Sequence, residues 1–409
     1  MSGDLSSVDV SRRRERVSIP GAIVEEIYEP SSSAQISQIV RAAAEEGAGL
    51  LIFGGQTRLA CANPARSIRL GLSLGRLSGI DEFEPDEGVV HAAAGTPISE
   101  IRMRVGEEGW ELPLDSPGPR TTLGGTIASA VTGPRAQAFG SVADAVLGLE
   151  VVGGEGVASK CGGRVVKNVT GYDLAKLYCG SFGSLAVVTG AWLRLRPLPA
   201  VREAYRVRRP TDRKRFEALR ALAHLTSVRA LVWTEAAGDE TSEVFIELGG
   251  SEAGVAHDRS RFAEGSSLEA VGVERIDALR DARTEEAAKA DLVALRVRVL
   301  GSRCEMVRRE MLAAGLRVSI DPGLGVIHAR GEVSNIDALF AIRACAERAG
   351  GFVTFEQIPA AWRIEIEVFG SLAGTEGLAA ALKAKFDPAG VLNPGRFVAA
   401  GVEVPRRGR

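Results

Sequence analysis

Four glycine-rich stretches lie in the first half of this 409-residue chain: "FGGQT" at 53–57, "PGPRTTLGGT" at 117–126, "GGRVVKNVTG" at 162–171 and "GSFGS" at 180–184. Where no Cβ intervenes, backbone N–H groups can approach a diphosphate closely, and the interspersed Thr, Ser and Asn side chains add hydroxyl and amide partners. One such turn is only what any tight bend requires. Four, separated by strand-like segments, point to a large anionic cofactor. The G-x-G-x-x-G of a dinucleotide-binding βαβ unit and the lysine loop of phosphate-binding NTPases are both missing, so the expected site belongs to another architecture.

Alternating elements must hold these turns. "ISQIVRAAAEEGAGLLIFGG" reads as an amphipathic helix with Ile36, Ile39, Val40 and Ala43 on its apolar stripe, then a buried strand ending at Gly54-Gly55. A helix is expected after Thr96 as cap, with Pro97 at its first position. Val146 to Val152 reads as a strand, as do the Val165-Val166 and Leu193–Leu195 ends of the segment 162–197. The prolines of "RPLPAV" mark a boundary near 198–201. Beyond it, hairpin-like strand pairs ("ALVWTEA" with "SEVFIELGG"; "LRVSIDPGLGVIHARGEV") alternate with helices, one begun by Thr211 and an exposed one near 277–290. That pattern describes an α+β domain on an antiparallel sheet.

Composition removes several function classes. The net charge is −2 with 25% charged residues, which does not suit a nucleic-acid binder. No apolar run approaches the ~20 residues that span a bilayer. The "SRRRER" near the N-terminus has no hydrophobic stretch after it, so residues 1–19 read as a solvated flexible leader and the expected location is cytoplasmic, docked at the inner membrane through partners if at all. Five cysteines without a C-x-x-C and four histidines without an H-x-x-x-H predict no disulfide framework, iron–sulfur cluster or metal site.

The segments "LLIFGGQTRLA", "DSPGPRTTLGGTIASAVTGPRAQAFGSVADAVLGLEVV", "GGRVVKNVTGYDLAKLYCGSFGSLAVVTGAWLRLRP" and "KAKFDPAGVLNPGRF" occur in this order. Together they resemble the vanillyl-alcohol oxidase / p-cresol methylhydroxylase-type FAD-binding superfamily, and within it the smaller FAD-binding subunits of bacterial glycolate oxidases. The likeness is strong over residues 20–200 and moderate over the last 25. It implies a two-subdomain FAD-binding domain at 20–200, an α+β cap or substrate domain at 201–384, and a segment at 385–409 returning to the cofactor.

It also implies residue roles. Phe53, Gly54, Gly55, Gln56 and Thr57 would form the pyrophosphate loop. Pro117, Thr122, Gly124, Gly125, Thr126 and Ala128 would line the flavin and ribityl chain. Gly163, Val166, Lys167 and Asn168 would lie near the cofactor, with Gly171, Tyr172 and Asp173 fixing their loop. Gly183, Val187 and Val188 would meet the adenosine side, and Asn393 and Arg396 would reach the flavin's catalytic edge. With no His or Cys at an attachment position, FAD would be non-covalent.

The implied activity is oxidation of a small 2-hydroxy acid, glycolate or D-lactate in type, with electrons passing through FAD to an iron–sulfur subunit beside a larger FAD-binding subunit. The histidine/acid metal cluster of the related large subunits has no counterpart, which keeps open a non-catalytic FAD-holding or electron-relay subunit, or a stand-alone dehydrogenase for another alcohol or sugar acid. Catalytic candidates are weak: Lys167 (or an ion pair with Asp173), Tyr172 (or a packing role) and Asn393. Arg135 offers a bidentate contact to phosphate or carboxylate, Arg120 reads as a surface residue, and His328 as a structural histidine.

Overall fold

A computed structural model of the chain describes residues 5–164, 172–210, 213–264, 267–284, 292–370 and 374–397. The chain divides into two compact units. The first comprises Met1–Val131, Ser141–Pro197 and Ser371–Arg409; the second comprises Thr132–Gly140 and Leu198–Gly370. The excursion 132–140 thus leaves the first unit for the second, a partition that the sequence boundary near 200 does not anticipate.

In the first unit β1 (Ser11–Ile19), β2 (Ala22–Glu29), β3 (Gly49–Phe53) and β4 (Ile68–Ser73) form a sheet of order β1-β2-β4-β3. Residues 11–19, expected as flexible leader, are therefore a strand: Val17 and Ile19 are buried and pair with Val24 and Ala22. The arginines that made this segment look solvated sit on the exposed positions of the same strand. Helix α1 (Ser33–Glu46) is capped by the Ser32 side chain, which accepts from Gln35 N–H, and ends at Gly47 with φ +63°. Its expected stripe is buried. Strand β3 is apolar throughout because it is covered on both faces, as a parallel strand usually is.

A second, antiparallel sheet has the order β5-β6-β10-β8-β9, from β5 (Ile80–Glu84), β6 (Val89–Ala93), β8 (Val146–Gly153), β9 (Ala158–Gly162) and β10 (Ala186–Arg194). The short β7 (Trp110–Glu111) and β11 (Arg196–Pro197) pair separately. Around these sheets lie α2 (Ile98–Gly106), α3 (Leu123–Ser129), α5 (Val142–Ala145) and α6 (Leu174–Tyr178), with α4 (Ala136–Phe139) on the excursion into the second unit. Thr96 does not cap α2: its hydroxyl is committed to Gly79 N–H and C=O, and Pro97 sits at the cap position. Val165 and Val166, expected in a strand, lie outside the described residues.

The second unit carries an eight-stranded sheet of order β15-β12-β14-β13-β17-β18-β16-β19, every neighbour antiparallel. The strands are β12 (Val201–Pro210), β13 (Val228–Glu235), β14 (Thr241–Gly250), β15 (Glu269–Val271), β16 (Val293–Arg298), β17 (Arg317–Asp321), β18 (Val326–Gly331) and β19 (Phe352–Gln357). Alternation along β14 separates two apolar surfaces. Val244, Ile246 and Leu248 join a core with α7 (Arg213–Leu222), α8 (Glu252–Ala263), α10 (Cys304–Ala313) and α11 (Ile336–Arg348), while Phe245 packs with Ile276 of α9 (Glu274–Ala282). Of the expected helix at 277–290, α9 covers the start and buries Arg280; Thr211 and residues 285–291 lie outside the described residues. The fold class is α+β, as the sequence pattern indicates.

Helix α12 (Glu376–Phe386) belongs to the first unit, so the returning C-terminal segment starts ahead of the expected 385. Among the described residues no helix is long and apolar enough to cross a membrane.

Candidate functional site

Strand β3 delivers the chain into a cleft of the first unit. Its walls are the 53–59 loop, Thr121, Thr122 and one face of α3, with Phe182 from the "GSFGS" turn and Asn393 and Arg396 from the C-terminal segment. Glycine is required at the loop by contact, not only by conformation. A Cβ on Gly54 would stand 2.2 Å from Thr122 Oγ1, and one on Gly55 would stand 1.7 Å from the Arg120 carbonyl oxygen. The next residue, Gln56, has φ +61°. Five described non-glycine residues have positive φ, and three of them, Gln56, Phe182 and Asn393, line this cleft. Backbone strain of this kind persists only where surrounding structure holds it, and it concentrates at ligand sites.

The Asn393 side chain ties the walls together. Its Oδ1 accepts from Ile52 N–H at 2.9 Å and its Nδ2 donates to the Phe182 carbonyl at 2.8 Å. Gly183 (φ +64°) leaves the room, since a Cβ there would stand 2.9 Å from Asn393 Nδ2. Arg396 donates to the carbonyls of Asn63 and Leu59. Thr122 caps α3, accepting from Gly125 N–H at 3.3 Å.

The cleft suits an anionic, hydroxyl-rich ligand. Among the described residues its lining includes Arg58 and Arg396 and no carboxylate. The N–H groups of Gly55, Gln56 and Thr57 find no acceptor among the described residues. Two hydroxyls of the adjoining segment, Ser116 Oγ and Thr126 Oγ1, are buried without a partner, which a folded protein rarely tolerates unless something else binds them. These residues fit FAD, which carries both an anionic diphosphate and many polar oxygens: the loop N–H groups and partnerless hydroxyls are the donors such a group needs.

Of the residues expected from sequence, Phe53, Gly54, Gly55, Gln56, Thr57, Thr122, Gly125, Ala128, Asn393 and Arg396 are brought together on this cleft. Others are placed elsewhere. The Pro117 carbonyl accepts from the Thr121 hydroxyl. Gly124 packs on Ala94, to whose carbonyl it donates at 2.7 Å. Gly163 donates to the Leu147 carbonyl. Val187 and Val188 are core residues of β10. Gly183 meets Asn393 rather than the lining itself.

Three expectations need correction. Arg135 is buried in the second unit, where Nε holds Glu247 at 2.7 Å and Nη1 holds Asp277 at 2.6 Å, so its charge is spent on internal carboxylates. Tyr172 is 95% exposed and neither packs nor lines the cleft. Asp173 caps α6 and pairs with Lys176 Nζ at 2.9 Å, which holds its carboxyl below the usual range. Val166, Lys167, Asn168 and Gly171 lie outside the described residues. His328 is buried on β18 between Ser319 and Arg296. Sequence reasoning missed Arg58, Thr121, Ser129 and Phe182 on the lining, and the buried Ser116 hydroxyl of the adjoining segment. For Phe182 a signal existed: it is the aromatic residue inside the 180–184 glycine turn, where it takes φ +52° between Gly180 and Gly183, both also at positive φ.

Known proteins agree with this geometry. Residues 24–162 match the family model described as an FAD binding domain. The chain thus carries an FAD-binding domain, and FAD is its cofactor. It is 35% identical over 170 residues, 41% of this chain and 48% of the relative, to glycolate oxidase subunit GlcE of Escherichia coli (strain K12). It is 30% identical over 171 residues to D-2-hydroxyglutarate dehydrogenase of Xanthomonas citri, covering 42% of this chain and 36% of that one. It is 29% identical over 171 residues to D-lactate dehydrogenase of Archaeoglobus fulgidus, covering 42% and 38%. Each match spans less than half of the relative's length. Among solved structures, p-cresol methylhydroxylase with substrate bound has a TM-score of 0.69 at 14% identity, covering 93% of this chain and 90% of that one. Alkyldihydroxyacetonephosphate synthase has 0.66 at 14%, covering 91% and 76%. These two likenesses establish the p-cresol methylhydroxylase-type fold.

Proposed function

We propose that this chain is the FAD-holding subunit of an enzyme that oxidises a small 2-hydroxy acid to the 2-oxo acid. The observation that carries the reading is the cleft whose loop at 55–57 presents unclaimed backbone N–H groups beside Arg58 and Arg396. The relatives' names supply the substrate class, glycolate or D-lactate in type. FAD, when bound, supplies a two-electron acceptor for the pair of electrons lost with two protons by the hydroxy acid.

The chain's own residues have positioning roles. The 53–57 loop holds the diphosphate, Ser116, Thr122 and Thr126 meet the flavin side, and Asn393 fixes the spacing of the walls. Among the described residues no His or Cys lines the cleft, which supports non-covalent attachment. Onward transfer to an iron–sulfur subunit beside a larger FAD-binding subunit, on the cytoplasmic side of the inner membrane, completes the reading.

One observation favours a second reading, a subunit that holds FAD or relays electrons without turning over substrate. The Asn393 amide is engaged at both ends and Tyr172 faces solvent, so neither offers a proton acceptor in the cleft. Purification and anaerobic mixing with glycolate or D-lactate test both. The first reading expects a yellow protein whose flavin absorbance bleaches with the hydroxy acid when the partner subunits are present. A colourless chain from the assembled complex sinks both readings. Flavin that stays oxidised in the assembled complex while the larger subunit's flavin bleaches selects the second.

A further inference from the structure

The C-terminal segment is held on the cleft, outside the lining, by an ion pair between the half-buried Lys383 and the buried Asp387. Lys383, near the end of α12, directs all three donors of its ammonium inward: to Asp387 Oδ2 at 2.5 Å, the Ser184 carbonyl at 2.7 Å and the Leu392 carbonyl at 2.8 Å. The Asp387 carboxylate is 2% exposed and accepts in turn from Val391 N–H at 3.1 Å and Leu392 N–H at 2.9 Å. Gly154 gives it space, since a Cβ there would stand 2.5 Å from Asp387 Oδ1.

The two charges thus satisfy each other and fix residues 391–392, the pair preceding Asn393. The same stretch runs beside β3, with Leu50 N–H donating to Val391 C=O at 2.8 Å and Asn393 N–H to Leu50 C=O at 3.0 Å. On the opposite wall, Ser184 closes the turn that carries Phe182, and Phe397 stacks on Phe182 at 5.7 Å.

We propose that Lys383 and Asp387 are positioning residues that latch the "GSFGS" turn to the end of β3 through Asn393, and so set the width of the cofactor cleft. Lys383 touches one wall directly, through Ser184. Asp387 holds the backbone that presents Asn393 to both walls. A buried charge pair is a poor device for bulk stability, because desolvation offsets most of its attraction, but it specifies one geometry when every donor and acceptor is satisfied. The two are satisfied here, at a place where a shift of one wall changes the reach of the loop N–H groups. This inference rests on the reading of the cleft as the FAD site, but the latch is a property of the chain alone.

The test is hydrogen–deuterium exchange of the full chain without cofactor, for the wild type, Lys383→Gln and Asn393→Ala, paired with FAD titration by flavin fluorescence. Exchange is expected to accelerate roughly tenfold or more at 50–57 and 181–184 in both variants, with β6 and the second unit unchanged, and the FAD dissociation constant to rise roughly 10- to 100-fold, the range for loss of a charge-assisted hydrogen bond. Wild-type exchange at both segments in either variant overturns the latch, as does loosening spread evenly over the first unit. Should Lys383→Gln fail to fold, Asn393→Ala decides alone. A wild-type chain that takes up no FAD overturns the cofactor reading and leaves the exchange result to decide the latch.

Discussion

The two units treat their polar groups in opposite ways. In the second, charge closes on charge. The Glu247 side chain is fully buried and holds Arg135, Arg202 and Arg229 at 2.7, 2.8 and 3.1 Å. Arg308 bridges Glu235 and Glu305, and Arg283 holds Asp321 at 2.7 Å. In the first unit the cleft is walled by glycines, backbone N–H groups and hydroxyls, with no acidic side chain in its lining among the described residues. The difference teaches where an anion can bind. A concentration of arginine marks a site only where the charge has no internal carboxylate, and short loops with unclaimed N–H groups mark one even without a lysine. Arg135 is the instructive case: its setting in "TGPRAQAFG" suggested a bidentate contact to a ligand's phosphate or carboxylate, and its partners are the protein's own Glu247 and Asp277.

The strongest way to break this contrast is Glu247→Gln. Three guanidiniums would then surround a neutral amide, and removing one partner from a buried pair costs about 3–5 kcal/mol. Chemical denaturation of the second unit should show that loss while FAD affinity stays at the wild-type level. A loss below roughly 1 kcal/mol, the scale of exposed pairs, would return these arginines to the status of surface charges.

Next comes Gly55→Ala. The added methyl would meet the Arg120 carbonyl oxygen at 1.7 Å, so the loop must shift. Overpacking of this kind costs about 1–3 kcal/mol of stability. The larger consequence is for the ligand: displaced N–H groups should weaken FAD binding by about 100-fold, or ~2.7 kcal/mol. Arg135→Gln is the matched control, expected to lower stability and leave the flavin titration unchanged. If Arg135→Gln weakens FAD more than Gly55→Ala does, the contrast between the units is wrong.

How much of this was legible in sequence follows from the range of each interaction. The helix-to-strand unit ending at Gly54-Gly55 was readable, because periodicity of 3.6 followed by an unbroken apolar run is a local signal. The antiparallel second unit was readable from its alternating strands. Thr96 was misread because its competing partner, Gly79, lies 17 residues earlier in the chain, just ahead of β5. Residues 11–19 were misread because an edge strand with one exposed face and four arginines has a polar composition. The meeting of Gly183 with Asn393 was beyond local reading: each residue has an ordinary turn context, and only the return of the chain 210 positions later brings them together.

The smallest expected effect sharpens the contrast from the first unit's side. Asp144, exposed in α5, accepts from the Ser141 hydroxyl at 2.7 Å and from Ser141 N–H at 2.8 Å, and these bonds hold its carboxyl below the ordinary value of 3.8. A carboxylate with a depressed pKa in the folded state binds fewer protons there than in the unfolded chain. Its contribution is therefore fully present above pH 3.8 and fades as pH falls through the lowered folded value. Solvent screens an exposed group, so the contribution should not exceed roughly 0.5 kcal/mol. Asp144→Asn should flatten that part of the acid-stability curve and leave stability at neutral pH nearly unchanged, where Glu247→Gln shows its full loss. Were the two variants equally destabilised at neutral pH, burial would not be what separates a structural charge from a surface one in this protein.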